Sequence, residues 1–166
     1  MDPSVAGRQH VVNDGPPART PAGDALTDLV MQVVRLIRDF TAAGDALARP
    51  AGQTLARWLV LEAIQDRPAT VAQIARDWHL ARQGVQRLAD LLVRDGLAVY
   101  EPNPAHRRAK LLRLTPEGRS ALLRIQAAQR TWADALGAEL GEAELRQAGA
   151  VLDRVLDAVR RPELAP

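Results

Sequence analysis

The stretch from Ala69 to Leu114, ATVAQIARDWHLARQGVQRLADLLVRDGLAVYEPNPAHRRAKLLRL, constrains this chain more than any other. Thr70 stands three residues before Gln73, the spacing of a capping box, and opens a short helix that turns Val71, Ile74 and Ala75 inward. A brief turn around His79 and Leu80 separates it from a second helix. There Val85, Leu88, Leu91 and Leu92 share one face, and Gly96 is placed to end the helix. Two short runs follow at once, LAVYE and KLLRL, which can pair as antiparallel strands across the connection PNPAHRRA.

Two short helices with a tight break form a helix-turn-helix unit, and a hairpin directly after it gives the winged-helix arrangement. The apolar face of the second helix leaves Arg82, Gln83, Gln86, Arg87 and Asp90 pointing outward. Arg and Gln are the side chains suited to guanine and adenine edges in a major groove. The hairpin tip carries Arg107 and Arg108 with Lys110 and Arg113 nearby, opposed in that segment only by Glu101. Cations at such a tip can enter a minor groove or clamp its phosphates while the helix occupies the major groove. The expected nucleic-acid contacts are therefore Arg82, Gln83, Gln86, Arg87, Arg107, Arg108 and Lys110.

Helices are expected on both sides. Upstream, Leu29, Val30, Val33, Leu36, Ile37 and Phe40 recur at spacings of three and four in a helix that stops near Gly44 and the RPAG stretch at 49–52. Another runs from about Gln53 to Gln65. Downstream, Thr115 and Pro116 look like an N-cap and first helical residue. They begin a long helix with Leu122, Ile125, Trp132 and Leu136 on its buried stripe, interrupted at Gly137 and Gly141. The last helix puts Leu145, Val151, Leu152, Val155, Leu156 and Val159 on a face broader than a small winged domain can cover, so a partner surface is its expected destination. The expected organisation is a flexible arm over 1–24, a dimerisation helix and linker over 25–52, and a winged helix-turn-helix over 53–115. Dimerisation helices over 116–161 and a flexible tail over 162–166 complete it. The fold class is mainly α, with a small β-hairpin wing and a helical dimerisation region.

With one Phe, one Tyr and three Trp in a chain that is 47% hydrophobic, the core must be aliphatic, which favours helices over a sandwich. The formal net charge of +2 says little about nucleic acid, since the distribution of charge is what matters. The absence of cysteine excludes disulfides and thiol catalysis. No apolar run approaches the roughly 20 residues of a membrane span, and no signal pattern opens the chain, so a soluble cytoplasmic protein is expected. His10, His79 and His106 are too scattered for a metal cluster, and no paired carboxylates form a catalytic motif. Neither an enzyme nor a cofactor or metal protein is expected. A helical protein-interaction module with a winged helix that no longer binds DNA is the alternative.

From Val60 to Gly118 the sequence resembles the MarR family of winged-helix transcription regulators, through RQGVQRLADLLVRDGL, the arginine-bearing wing and LTPEG together. The resemblance implies a homodimer with interlocked N- and C-terminal helices, two winged domains on a pseudo-palindromic double-stranded operator, and repression relieved by a small aromatic acid or phenol. It also implies an effector pocket between the dimerisation and DNA-binding regions. Arg57 and Trp58 fall near that pocket and Trp132 lies on the long helix after the wing, a set suited to an aromatic carboxylate. Three residues depart from the family pattern. His106 replaces the acidic residue before the arginine pair, Ala81 replaces the usual capping Ser, and Gly84 sits in the first turn of the recognition helix.

Overall fold

The computed structural model describes residues 19–106, 108–161 and 163; the expectations for the arm up to residue 18, for Arg107 and for most of the tail lie outside them. The elements are α1 (Pro21–Ala48), a 3-10 turn (Arg49–Ala51), α2 (Leu55–Ala63), β1 (Ala69–Thr70), α3 (Val71–Asp77), α4 (Arg82–Arg94), β2 (Ala98–Glu101), β3 (Leu111–Leu114), α5 (Pro116–Leu140) and α6 (Glu142–Val159). Among the described residues no helix is long and apolar enough to cross a membrane. The chain divides into two compact units, Met1–Phe40 and Thr41–Pro166.

In the first unit, α1 begins at Pro21, inside the segment expected to be an arm. The Thr20 hydroxyl accepts the Gly23 N–H at 3.1 Å, satisfying one of the amide donors that every helix start leaves open. Leu26, Val30, Met31, Val34 and Leu36 along this stretch are all exposed.

In the second unit, α1 continues through Gly44 and ends at Ala48, directly before the RPAG stretch at 49–52 that also marked the expected stop. Gly44 is a packing residue: a Cβ there would come within 2.8 Å of the Leu55 side chain. Asp45 then accepts the Leu55 N–H at 2.7 Å, joining the end of α1 to the start of α2. The core gathers Val60 and Leu61 of α2 with Ile64 just after it, Ile74 of α3, Val85, Ala89 and Leu92 of α4, Leu112 and Leu114 of β3, and Leu122 of α5. The capping box at Thr70 forms, with the Thr70 hydroxyl accepting the Gln73 N–H and the Gln73 side chain accepting the Thr70 N–H at 2.8 Å. The N-cap of α4, Ala81, makes no side-chain cap, and the helix ends before Gly96, whose φ of 74° is the left-handed conformation glycine adopts without strain.

β2 and β3 pair antiparallel with Ala98 opposite Leu114 and Tyr100 opposite Leu112. A third strand, β1, joins the other side of β3, with Ala69 opposite Leu112 and Thr70 opposite Leu111, giving the order β1-β3-β2. Two residues carry no readable alternation, which is why the sequence showed only the hairpin. Gly137, an expected interruption, lies inside α5; the chain breaks at Gly141, where φ is 84°. α6 has no buried residue, and Leu145, Val151, Leu152, Leu156 and Val159 remain exposed.

His79, in the turn between α3 and α4, has a φ of 51° without being glycine. A left-handed residue with a Cβ carries about 1–2 kcal/mol of strain, against about 0.5–1 kcal/mol of extra chain entropy for glycine. His79→Gly is therefore expected to raise the unfolding free energy by roughly 0.5–1 kcal/mol, read as a higher urea midpoint at constant slope.

Candidate nucleic-acid interface

Three elements meet at one edge of the second unit. The start of α3, the first turns of α4 and the far end of the β2–β3 connection enclose a cleft of about 320 Å³ lined by Thr70, Val71, Arg82, Tyr100, Arg108 and Lys110, among others. Among the described residues the connection turns through Asn103 Oδ1 accepting the Ala105 N–H at 3.0 Å, the Asn103 carbonyl accepting the His106 N–H at 3.2 Å and the His106 carbonyl accepting the Ala109 N–H at 3.2 Å. A second, shallower surface on α4 is lined by Gln83, Gln86, Arg87, Asp90, Leu91 and Arg94.

Of the residues singled out from the sequence, Arg82, Arg108 and Lys110 are brought together around the cleft, and Gln83 and Arg87 around the α4 surface. All five are exposed and have no hydrogen-bond or ion-pair partner among the described residues. Arg107 lies outside the described residues. Arg113 is spent elsewhere, since its Nε donates to Glu101 Oε1 at 2.5 Å across the hairpin. That pair is substantially exposed, so its worth is at most about 1 kcal/mol, but it neutralises the one opposing carboxylate of the wing. The remaining wing charge is positive.

The start of α4 adds donors. Its first intrahelical bond is Val85 N–H to the Ala81 carbonyl, and Ala81 offers no side chain to the amides before it. Among the described residues, the N–H groups of Arg82, Gln83 and Gly84 have no acceptor and nothing lies within 4 Å of where a Gly84 Cβ would be. An anion such as a phosphate suits both features, because partial positive charge collects at a helix start.

Gln86 sits between the two surfaces and is tied down. Its Nε2 donates to Asp90 Oδ1 at 2.9 Å and to Tyr100 Oη at 2.8 Å, while Tyr100 Oη donates to Asp90 Oδ1 at 2.8 Å. Burial, reinforced by the hydrogen bond to Asp90, pushes the Tyr100 phenol up to about 12, so it stays protonated and keeps donating. The role of Tyr100 escaped the sequence reading. Its one signal was a solitary tyrosine in a strand beside the recognition helix.

The residues expected to hold an effector are engaged in the fold. Arg57 Nη2 donates to Asp95 Oδ2 at 2.6 Å, linking α2 to the end of α4, and the Arg57 side chain is only 15% exposed. Its Nε is buried without a hydrogen-bond partner among the described residues. Trp58 packs against the core and donates its indole N–H to Glu62 Oε2 at 2.9 Å, and Gln126 of α5 donates to the same carboxylate at 3.1 Å. Trp132 is half-buried further along α5. The hydrogen bond from Arg94, followed by that from Arg57, holds the Asp95 carboxyl below its ordinary value. A lowered carboxylate contributes stability that is complete above the unfolded-state pKa and is lost as pH falls through the folded-state value. The stability gap between the native chain and Asp95→Asn should therefore be flat from pH 5 to 8 and close below about pH 4, in urea titrations across that range.

The geometry can be set beside known proteins. A sequence model described as the MarR family matches residues 51–109. The protein Rv2011c of Mycobacterium tuberculosis is 43% identical over 99 residues, covering 60% of this chain and 69% of that one. Among solved structures, the MarR family transcription regulator SP03579 superposes with a TM-score of 0.72 at 26% identity, over 82% of this chain and 93% of that one. The M. tuberculosis transcriptional regulator MosR, solved in complex with DNA, gives a TM-score of 0.64 at 26% identity, over 80% and 98%.

Proposed function

Because the chain belongs to the MarR family of winged helix-turn-helix transcription regulators, and so stands with DNA-binding proteins rather than enzymes, we propose that it represses transcription by occupying a pseudo-palindromic operator as a homodimer. The observation that carries this reading is the grouping of Arg82, Gln83, Arg87, Arg108 and Lys110, all unpartnered among the described residues, on the recognition helix and wing. Gln83 and Arg87 read base edges, and Arg82 meets phosphate near the uncapped start of α4. Arg107, Arg108 and Lys110 hold the minor groove or its backbone. The exposed apolar residues of α1 and of α6 are covered by the second copy. Two-fold symmetry then sets the half-sites about one helical turn apart, roughly 34 Å, or a multiple of it.

Recovery of bound genomic fragments, followed by sizing of the complex, tests this reading. One dimer per duplex is expected, with Arg87→Ala losing about 1–3 kcal/mol of discrimination at one operator position. Equal weakening on operator and random DNA by Arg87→Ala, or a monomer at micromolar concentration, would remove the respective part. Retention of no fragment at low salt would favour a protein-interaction module.

An effector has a more specific reading than an open pocket. Arg57 is the cation near Trp58, its guanidinium is bound to Asp95, and its Nε has no partner among the described residues. An aromatic carboxylate therefore acts by replacing Asp95 at Arg57, which loosens the C-terminal end of α4. Such a ligand lowers operator affinity only to the extent that it binds the loosened state more tightly.

A further inference from the structure

We propose that Tyr100 and Asp90 are positioning residues that fix the Gln86 amide with its carbonyl oxygen outward, making Gln86 a reader of an exposed major-groove amino group. This rests on the DNA-binding reading above and goes beyond it by naming what one position of the operator must offer.

The orientation follows from donor and acceptor chemistry. Asp90 Oδ1 can only accept, and it lies 2.9 Å from one amide atom of Gln86 and 2.8 Å from Tyr100 Oη. The amide atom facing it must therefore be the nitrogen, because a carbonyl oxygen there would oppose a carboxylate. Tyr100 has a single hydrogen and spends it on Asp90, so towards Gln86 it is an acceptor, which again requires the nitrogen at its distance of 2.8 Å. Both neighbours select the same rotation. Oε1 is left without a partner among the described residues, on an exposed side chain that borders both the cleft and the α4 surface.

An unconstrained glutamine recognises adenine through an acceptor and a donor together, N6 and N7. A glutamine with its nitrogen drawn back towards Asp90 and Tyr100 leads with an acceptor. The groups that satisfy it are the N6 amino group of adenine and the N4 amino group of cytosine. Guanine and thymine present oxygen acceptors there, and an oxygen facing Oε1 is repelled. Tyr100 belongs to β2 and Asp90 to α4, so the wing's own strand sets the aim of a recognition-helix side chain.

The test is selection of binding sites from a randomised duplex pool by the full chain and by Gln86→Ala, Tyr100→Phe and Asp90→Asn, each first checked for native circular dichroism and size. The native protein should select one position per half-site bearing adenine or cytosine on the contacted strand, and Gln86→Ala should flatten that position alone. Tyr100→Phe should flatten the same position while leaving those read by Gln83 and Arg87 sharp, and should add nothing in the Gln86→Ala background. Asp90→Asn, able to donate to Oε1, should let the amide turn over and admit guanine or thymine. Duplexes carrying purine for adenine or pyrimidin-2-one for cytosine then separate the two bases, the responsible one losing about ten-fold in affinity when its amino group is removed. A keto base at the Gln86 position, or Tyr100→Phe leaving it as sharp as in the native protein, would overturn the proposal. If the native protein selects no sequence, the DNA-binding reading itself falls.

Discussion

Replacing Arg108 and Lys110 together by alanine is expected to weaken operator binding on the order of 60-fold at about 0.1 M salt and to lower the slope of log affinity against log salt by roughly 1.8. Every phosphate left unneutralised takes about 0.9 from the slope, which at that salt is about 8-fold in affinity. Both residues are exposed and lack an intramolecular partner among the described residues, so alanine removes charge without breaking a bond in the fold. Binding to random DNA should fall in step, because backbone contacts position a protein without reading sequence. Sizing and circular dichroism should be unchanged. An intact double variant with native affinity and native slope would reduce the wing to a solvated hairpin and leave recognition to α4.

The second large effect is on stability. A Cβ on Gly118 would overlap the Leu97 carbonyl oxygen, with backbone on both sides of the collision. Neither side can turn away. Thr115 fixes the helix start by accepting the Gly118 N–H at 3.0 Å, donating its hydroxyl to Gly96 O at 2.8 Å and donating its N–H to Leu97 O at 3.1 Å. Overpacking usually costs about 1–3 kcal/mol, and a clash between two held backbones belongs at or above the top of that range. Gly118→Ala is therefore expected to lose about 3 kcal/mol or more, a fall of roughly 6–12 °C in melting temperature for a chain of this size. Gly137 is the control. It is helical with nothing within 4 Å of its Cβ position, so Gly137→Ala should stabilise by about 0.5–1 kcal/mol. A Gly118→Ala protein as stable as the native chain would mean that the start of α5 can shift away from the turn before β2.

These two sites also mark what could be read from residues alone. Thr70 and Gln73, Thr115 and Pro116, and the apolar periods of α4 and α5 are local signals, each contained within a few turns of chain, and the elements they announce are present. The outward positions of Arg82, Gln83 and Arg87 follow from the same period. What stayed hidden joins residues far apart in sequence: Arg57 with Asp95, Gln86 with Tyr100, Glu62 with Gln126, Gly118 with Leu97. A periodic pattern tells which way a side chain leaves its own helix, but nothing about which polar group it will find there. Gly44 shows the same limit in reverse. As a residue type it signals a stop, yet its use in α1 is to admit Leu55, and only the neighbouring helix reveals that.

The short strand β1 has a consequence for anyone exchanging parts between relatives. Thr70 is at once the partner of Leu111 in the sheet and the N-cap residue of the capping box that opens α3. The hairpin of β2 and β3 is thus not a detachable module. A chimera that grafts a foreign wing between Ala98 and Leu114 inherits its register from Ala69 and Thr70, and a donor wing matched to a different pair at those positions must either slip by a residue, turning Leu112 and Leu114 out of the core, or drag the start of α3 with it. The unit of exchange that respects the pairing begins at Ala69.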